Sequence, residues 1–355
     1  MYEDKSLCKK ALQLIPTEEF LKEIKEDSES EKLTPQEISE LLLLKVLKWF
    51  KTSFFTWFDK AKCCGKDCEF VSNVGPTAEE SKWQCGNVEL YNCTSCQNKI
   101  RFPRYNHPEM LMKTRTGRCG EWANCFTFLC RALDFDARFI MDTTDHVWTE
   151  VWSQTQNRWL HLDACENLCD KPLIYEHGWK KQISYVLAFS KDEVTDVTWR
   201  YTSDFTATRN RRRECSEKKL AELIQHLTNQ KQSRYSQEKR KELAERQLKE
   251  LVEFLTPPTA NDTELSGRTS GSMAWRIARG EIQKQAKHIF TLTAKEISNK
   301  EFHIKYISSK DEYIHFSNNR DVIKGWDKLI YQNNHIFRKE ELDWKTVYLA
   351  RKGKV

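Results

Sequence analysis

One stretch of this chain limits the possible folds more than any other. Between Gly120 and Leu133 the residues Trp122, Ala123, Phe126, Leu129, Cys130 and Leu133 fall on one side of a helix. Strand patterns follow at once. Ala137, Phe139 and Met141 alternate with Arg138, Ile140 and Asp142, and Val147–Trp152 is rich in β-branched and aromatic residues. Asn157–Asp163 then places Trp159 and His161 on one face and Leu160 and Leu162 on the other. A helix followed by consecutive strands is an α+β order, not the alternation of an α/β fold.

The ends of these elements carry chemistry. Cys119 precedes the helix in Gly117-Arg118-Cys119-Gly120-Glu121-Trp122. There the helix dipole and the free N–H groups of the first turn favour a thiolate. Flanking glycines allow close backbone approach to a substrate carbonyl, and a nearby N–H can serve as oxyanion donor. His146 opens a strand and Asp163 closes one. On neighbouring antiparallel strands both can reach the helix N-terminus. The imidazole would take the thiol proton, and the carboxylate would fix its tautomer. His161 rivals His146, and Asp145 rivals Asp163; position at the strand ends favours Cys119, His146 and Asp163.

The bulk properties admit such an enzyme and exclude other classes. The 355 residues are enough for a substantial core and for more than one domain. The net charge of +6 is spread along the chain. Its densest basic spot, Arg209, Arg211, Arg212 and Arg213, lacks the interleaved aromatics of a nucleic-acid surface, so no nucleic-acid partner is expected. The apolar run Leu41–Val46 is too short to span a bilayer, and Met1–Ile15 has no secretory pattern. Thirteen cysteines without a secretory signal point to a reducing, cytoplasmic setting. There they serve as metal ligands or catalysts more than as disulfides.

Elsewhere the pattern predicts a helical region over 1–60, its apolar face formed by Leu41 through Phe50 and extended by Phe54, Phe55, Trp57 and Phe58. A cysteine-rich lobe and the catalytic core with its following helices occupy 61–256. Residues 101–113, with Pro103 and Pro108, read as an extended lead-in, and 257–270 as a linker. A β-rich C-terminal domain is expected over 265–355. Tyr91-Asn92-Cys93-Thr94-Ser95-Cys96 is a C-x2-C knuckle, and Cys64 with Cys68 gives an upstream C-x3-C partner. Cys63 is an alternative to Cys64, and Cys85 a distant spare. Cys125, Cys130, Cys165 and Cys169 read as packing thiols.

Residues 101–199 closely resemble the catalytic core of cytosolic peptide:N-glycanases, members of the transglutaminase-like (papain-like) superfamily of cysteine hydrolases. The matching words are Arg101-Phe102-Pro103-Arg104-Tyr105-Asn106, Gly117 through Phe126, Thr144-Asp145-His146-Val147-Trp148-Thr149-Glu150 and His161-Leu162-Asp163-Ala164-Cys165-Glu166. The resemblance implies Cys119 as nucleophile, His146 as base and Asp163 as third member. The implied reaction cleaves the amide between an asparagine side chain and N-acetylglucosamine on misfolded N-glycoproteins. It also implies one structural Zn2+ on two cysteine pairs, Cys64, Cys68, Cys93 and Cys96. Trp122, Trp148 and Glu150 are expected to line the sugar site. Gly271 through Glu281 resembles the opening of the family's C-terminal β-sandwich, which recognises mannose-rich arms. Because the chain ends at Val355, that sandwich is expected to be partial, and an N-terminal domain that docks proteasome-shuttle and segregase proteins is expected to be missing. A transglutaminase or cysteine protease on the same scaffold, and a non-catalytic glycoprotein-binding module, are the alternatives.

Overall fold

The computed structural model describes residues 1–27, 33–282, 293–301, 303–307, 312–315, 318–324, 331–333, 336–341 and 344–349. The chain divides into two units, 1–283 and 284–355.

The first unit is built on a six-stranded antiparallel sheet. Its strands run, in spatial order, Leu168–Cys169, Arg158–Asp163, His146–Ser153, Ala137–Asp142, Val186–Phe189 and Val194–Asp196. The central pairs are those that alternation in the sequence predicts. His146 pairs with Asp142 at the start of its strand. Leu162 pairs with Thr149, so the C-terminal end of Asp163's strand lies beside the start of His146's strand.

The helix Cys119–Ala132 packs on one face of this sheet, and the buried Thr127 and Thr149 hydroxyls meet at 2.7 Å. Its apolar stripe joins a core of Phe50, Phe54, Phe55, Leu129, Val151 and Leu162. The N-terminal region supplies the other side of that core through helices Lys5–Leu12, Thr17–Asp27 and Pro35–Trp49. The last of these starts well because Pro35 follows an N-cap. Thr34 Oγ1 accepts from the Glu37 N–H at 3.3 Å, and the Glu37 carboxylate accepts from the Thr34 N–H at 2.7 Å. The opposite face of the sheet buries Ile140, Trp148, Tyr175, Trp179, Val186, Tyr201 and Phe254.

Helices Glu217–Gln232 and Gln237–Glu253 are the helices expected to follow the core. Residues 101–113 differ from the extended reading: a strand ends at Pro103 and a helix runs Pro108–Thr114. Pro108 there is a helix start, with His107 as N-cap, not a breaker. Residues 257–270 are not a free linker. A 3-10 turn spans Asp262–Leu265, and Glu264, Arg268 and Ser270 are buried. Residues 265–282, grouped by sequence with the C-terminal domain, lie in the first unit.

The second unit contains the helix Ala294–Asn299 and two three-stranded antiparallel sheets. These are Ile304–Ile307, Glu312–His315 and Asn318–Lys324, then Tyr331–Asn333, Ile336–Glu341 and Trp344–Leu349. The β-rich character expected over 265–355 is met by these strands; Phe302 and residues 350–355 lie outside the described residues.

Candidate active site and cysteine cluster

Cys119 is the first residue of its helix and half-buried. Glu121 closes the helix start by accepting from the Arg118 N–H at 2.9 Å. Arg104 in turn holds Glu121 at 2.5 and 2.9 Å. Gly117 makes room for this closure: a Cβ there would lie 2.3 Å from the Glu121 Cβ. Burial works to raise the Cys119 thiol. The His146 imidazole, by hydrogen bond and by charge, and then the Arg268 guanidinium outweigh it, so the thiol lies below its ordinary value.

His146 Nε2 faces Asp163 Oδ2 at 2.8 Å, both side chains buried. With Nε2 donating to the carboxylate, the neutral tautomer keeps a lone pair on Nδ1. That buried nitrogen has no partner among the described residues other than the Cys119 thiol. Burial opposes a charged His146, but Asp163 more than offsets it and raises the imidazole above its ordinary value. Burial likewise opposes the Asp163 carboxylate, which His146 nonetheless holds well below the usual range. Asp163 is further fixed by the Cys165 N–H on Oδ1 at 2.9 Å and by the Tyr175 hydroxyl on Oδ2 at 2.9 Å.

The two rivals occupy other roles. His161 Nδ1 accepts from the Lys171 N–H at 3.2 Å, so its proton sits on Nε2, which meets the Tyr175 hydroxyl at 2.7 Å. Burial depresses this imidazole to about 4, so it is a neutral link in a chain that ends on Asp163. Asp145 is exposed and pairs with Arg279 at 2.6 Å.

Trp122, Trp148 and Glu150, expected to line a sugar site, are all buried and hydrogen-bonded within the fold. The Trp122 indole donates to the Gly117 carbonyl at 3.1 Å and packs on Phe50 and Phe55. Trp148 donates to the Tyr201 hydroxyl at 2.8 Å and stacks on Tyr175 with ring centres 4.3 Å apart. Glu150 accepts from Arg138 Nε at 2.6 Å, from Arg200 at 2.9 Å and from the Tyr201 hydroxyl. Glu250, from the distant helix Gln237–Glu253, shares both guanidinium groups, and Arg138 lies 3.9 Å from the Trp159 ring centre. These side chains support the strand that carries His146.

A strap over 264–281 lies around the same end of the sheet, and sequence reading missed it. Glu264 accepts from the Leu173 N–H at 2.9 Å. Glu166 accepts from the Thr269 and Ser270 N–H groups at 2.7 and 2.9 Å. The Ser266 carbonyl lies so close to Gly178 that a Cβ there would be 2.1 Å from it. Arg268 and Glu281 join the two limbs of the strap, by the backbone at 2.9 Å and by their side chains at 2.8 Å. The one signal was an arginine set among glycine and serine, where a linker has no use for a buried cation.

The cysteine lobe brings together Cys63, Cys64, Cys93 and Cys96, their sulfurs all within 4.8 Å of one another. Cys68, expected as a ligand, is outside this group. Cys64 (φ 52°) and Gly65 (φ 73°) form a two-residue turn between Cys63 and Lys66. That turn aims Cys63 and Cys64 at the knuckle, while Cys68 is buried with Ala61, Tyr91, Cys93 and Phe102. The Sγ separations, 3.5 Å for Cys63–Cys96 and 3.7 Å for Cys63–Cys64, suit a tetrahedral ion. Such an ion with metal–sulfur bonds of about 2.3 Å needs sulfurs about 3.8 Å apart. Backbone N–H groups of Cys96, then Ser95, aim at Cys93 and bring its thiol down to about 6. Cys125, Cys130 and Cys165 are buried and burial raises their thiols, consistent with packing roles.

Among the described residues no helix is long and apolar enough to cross a membrane. Three family models match the chain: the transglutaminase-like superfamily over 69–164, the Rad4 transglutaminase-like domain over 140–253, and the PNGase C-terminal domain, mannose-binding module PAW, over 267–355. Proteins named peptide-N(4)-(N-acetyl-beta-glucosaminyl)asparagine amidase are similar along almost all of it. The one from Gallus gallus is 50% identical over 99% of this chain. Those from Rattus norvegicus and Homo sapiens are 48% and 47% identical over 99%. The chain spans about half the length of these curated relatives, 55% in each case. With a transglutaminase-like core and a match to the PAW module, the chain belongs to the peptide:N-glycanase family.

Proposed function

We propose that this chain is an amidase that cleaves the bond between an asparagine side chain and N-acetylglucosamine, with Cys119, His146 and Asp163 as its reacting and orienting groups. The observation that carries this reading is the pairing of His146 Nε2 with Asp163 at 2.8 Å, which leaves Nδ1 to serve Cys119 at the helix N-terminus. The names of the curated relatives supply the substrate class.

The Cys119 proton passes to His146 Nδ1. The sulfur attacks the side-chain carbonyl carbon, and the oxyanion faces the free N–H groups of the first helical turn. As the C–N bond breaks, His146 returns the proton to the departing nitrogen, which leaves as a glycosylamine, and a thioester remains. Water then gives a proton to His146 and attacks the thioester, and the C–S bond breaks. Aspartate is left on the peptide, and the sulfur is restored. Asp163 keeps the imidazole in the useful tautomer and steadies its charged form.

Cys63, Cys64, Cys93 and Cys96 would hold one structural Zn2+, stabilising the lobe without entering the reaction. Substrates would be misfolded N-glycoproteins in the cytoplasm, with the segment matched by the mannose-binding module contacting mannose-rich arms.

The test is mass analysis of a denatured high-mannose glycopeptide after incubation. Free glycan together with asparagine-to-aspartate conversion is expected with the wild type and not with Cys119→Ala. Peptide-bond cleavage, or amine crosslinking without glycan release, would overturn the reading.

A further inference from the structure

Arg268 is a buried charge beside the site that the proposed reaction leaves unused. Its side chain is fully buried. Nε donates to the Ser270 hydroxyl at 3.0 Å and Nη1 to Glu281 at 2.8 Å. Nη2 is buried and has no partner among the described residues. A buried guanidinium nitrogen without an acceptor is costly and calls for an explanation.

The guanidinium is held in place by aromatic faces: its carbon lies 4.7 Å from the Trp179 ring centre, 4.5 Å from Trp275 and 5.4 Å from Trp57. Two of these rings place it between the halves of the reacting pair. Trp179 packs against His146 with ring centres 4.9 Å apart. Trp57 pairs in a short strand with Gly117, and its ring packs on Trp122. Arg268 therefore sits between the Cys119 side and the His146 side.

We propose that Arg268 is a charge-supplying residue of this site, holding the Cys119 sulfur in its nucleophilic form and providing a free N–H where charge develops. This rests on Cys119 being the nucleophile and deepens that reading. The segment matched by the mannose-binding module model begins at 267, so the residue comes from sequence associated with sugar binding. Its field acts on Cys119, His146 and Asp163 alike.

The surrounding charges do not cancel it. Glu281 is its countercharge, but Glu281 also pairs with Arg279 at 2.8 Å and faces Lys181 at 3.8 Å. Lys181 lies 3.4 Å from Asp142, and Arg279 is held by Asp145. Arg276 donates to the Arg268 carbonyl at 2.5 Å. Glu166 is engaged by the strap backbone, and Cys165 is a buried thiol whose proton burial favours.

The experiment follows alkylation of Cys119 by iodoacetamide against pH in the full chain, read by mass spectrometry on the peptide that contains it. No glycan is needed, so the result stands apart from the deglycosylation test. Arg268→Met is expected to move the acid-side inflection of alkylation upward by about 1 pH unit, because an opposing charge nearby is lost. Arg268→Lys should stay near the wild type. Should Arg268→Met fail to fold, Glu281→Gln gives the opposite sign: it frees the guanidinium of its countercharge and should move the inflection downward. Profiles of Arg268→Met, or failing that of Glu281→Gln, that superimpose on the wild type would overturn the proposal.

Discussion

Tyr175 and His146 meet at one atom. Both bond Asp163 Oδ2, the tyrosine hydroxyl at 2.9 Å and the imidazole Nε2 at 2.8 Å. Burial raises the Tyr175 hydroxyl well above its ordinary value, so it stays a donor. The carboxylate thus cannot swing away from the imidazole without losing a second charge-assisted bond.

Tyr175→Phe should keep the fold and lower kcat. A hydrogen bond to a charged group contributes about 1.5–3 kcal/mol. Its loss as the imidazolium forms corresponds to roughly a 10–100-fold slower turnover. Single-turnover rates on a denatured glycopeptide, with KM measured alongside, check this; an unchanged kcat would refute it.

Glu150→Gln should act on stability. It leaves the buried Arg138 and Arg200 short of a carboxylate they share at 2.6 and 2.9 Å. Removing one member of a buried pair costs about 3–5 kcal/mol. Thermal unfolding should show a large fall in Tm, and a Tm equal to the wild type would contradict the placement.

The depressed His161 makes stability depend on acid. Unfolded, it titrates near 6.5, and folded near 4, because burial disfavours its charged form. Between those values the unfolded chain holds a proton that the folded chain lacks, so stability falls as pH is lowered through this window. One such group changes stability by at most about 1.4 kcal/mol per pH unit. His146, raised when folded, works the other way: its contribution is present below 6.5 and is lost as pH rises through its folded value. Tm measured from pH 6.5 down to 4 should fall less steeply in His161→Gln. Parallel slopes would count against a neutral buried His161.

Cys63→Ser and Cys68→Ser separate the two ligand sets. Elemental analysis should find zinc lost from Cys63→Ser and kept in Cys68→Ser, since only Cys63 joins the cluster. Chelation should lower the Tm of the wild type, because a structural ion contributes folding energy directly. Zinc lost from Cys68→Ser alone would restore the original pairing.

The central elements were legible because periodicity is local. The helix after Cys119 and the three strands through Asp163 lie within a residue or so of where their patterns end. The ordered words around Cys119, His146 and Asp163 also named the family. What was hidden depended on contacts distant in sequence. Trp148 and Glu150 look like site residues in a motif, but Tyr201, Arg200 and Glu250 bury them. Cys63 and Cys68 have similar spacing to the knuckle, and the turn at Cys64-Gly65 decides between them. The strap over 264–281 has linker composition, and only its partners at Glu166, Leu173 and Gly178 show that it is fixed.

The Arg138 guanidinium ties the sheet to a distant part of the chain. It lies in the middle of the sheet, yet one of its carboxylates, Glu250, is 112 residues further along. A chain cut before Glu250 would leave this buried cation with Glu150 and Glu193 alone, so the sheet that carries His146 is closed from far along the sequence.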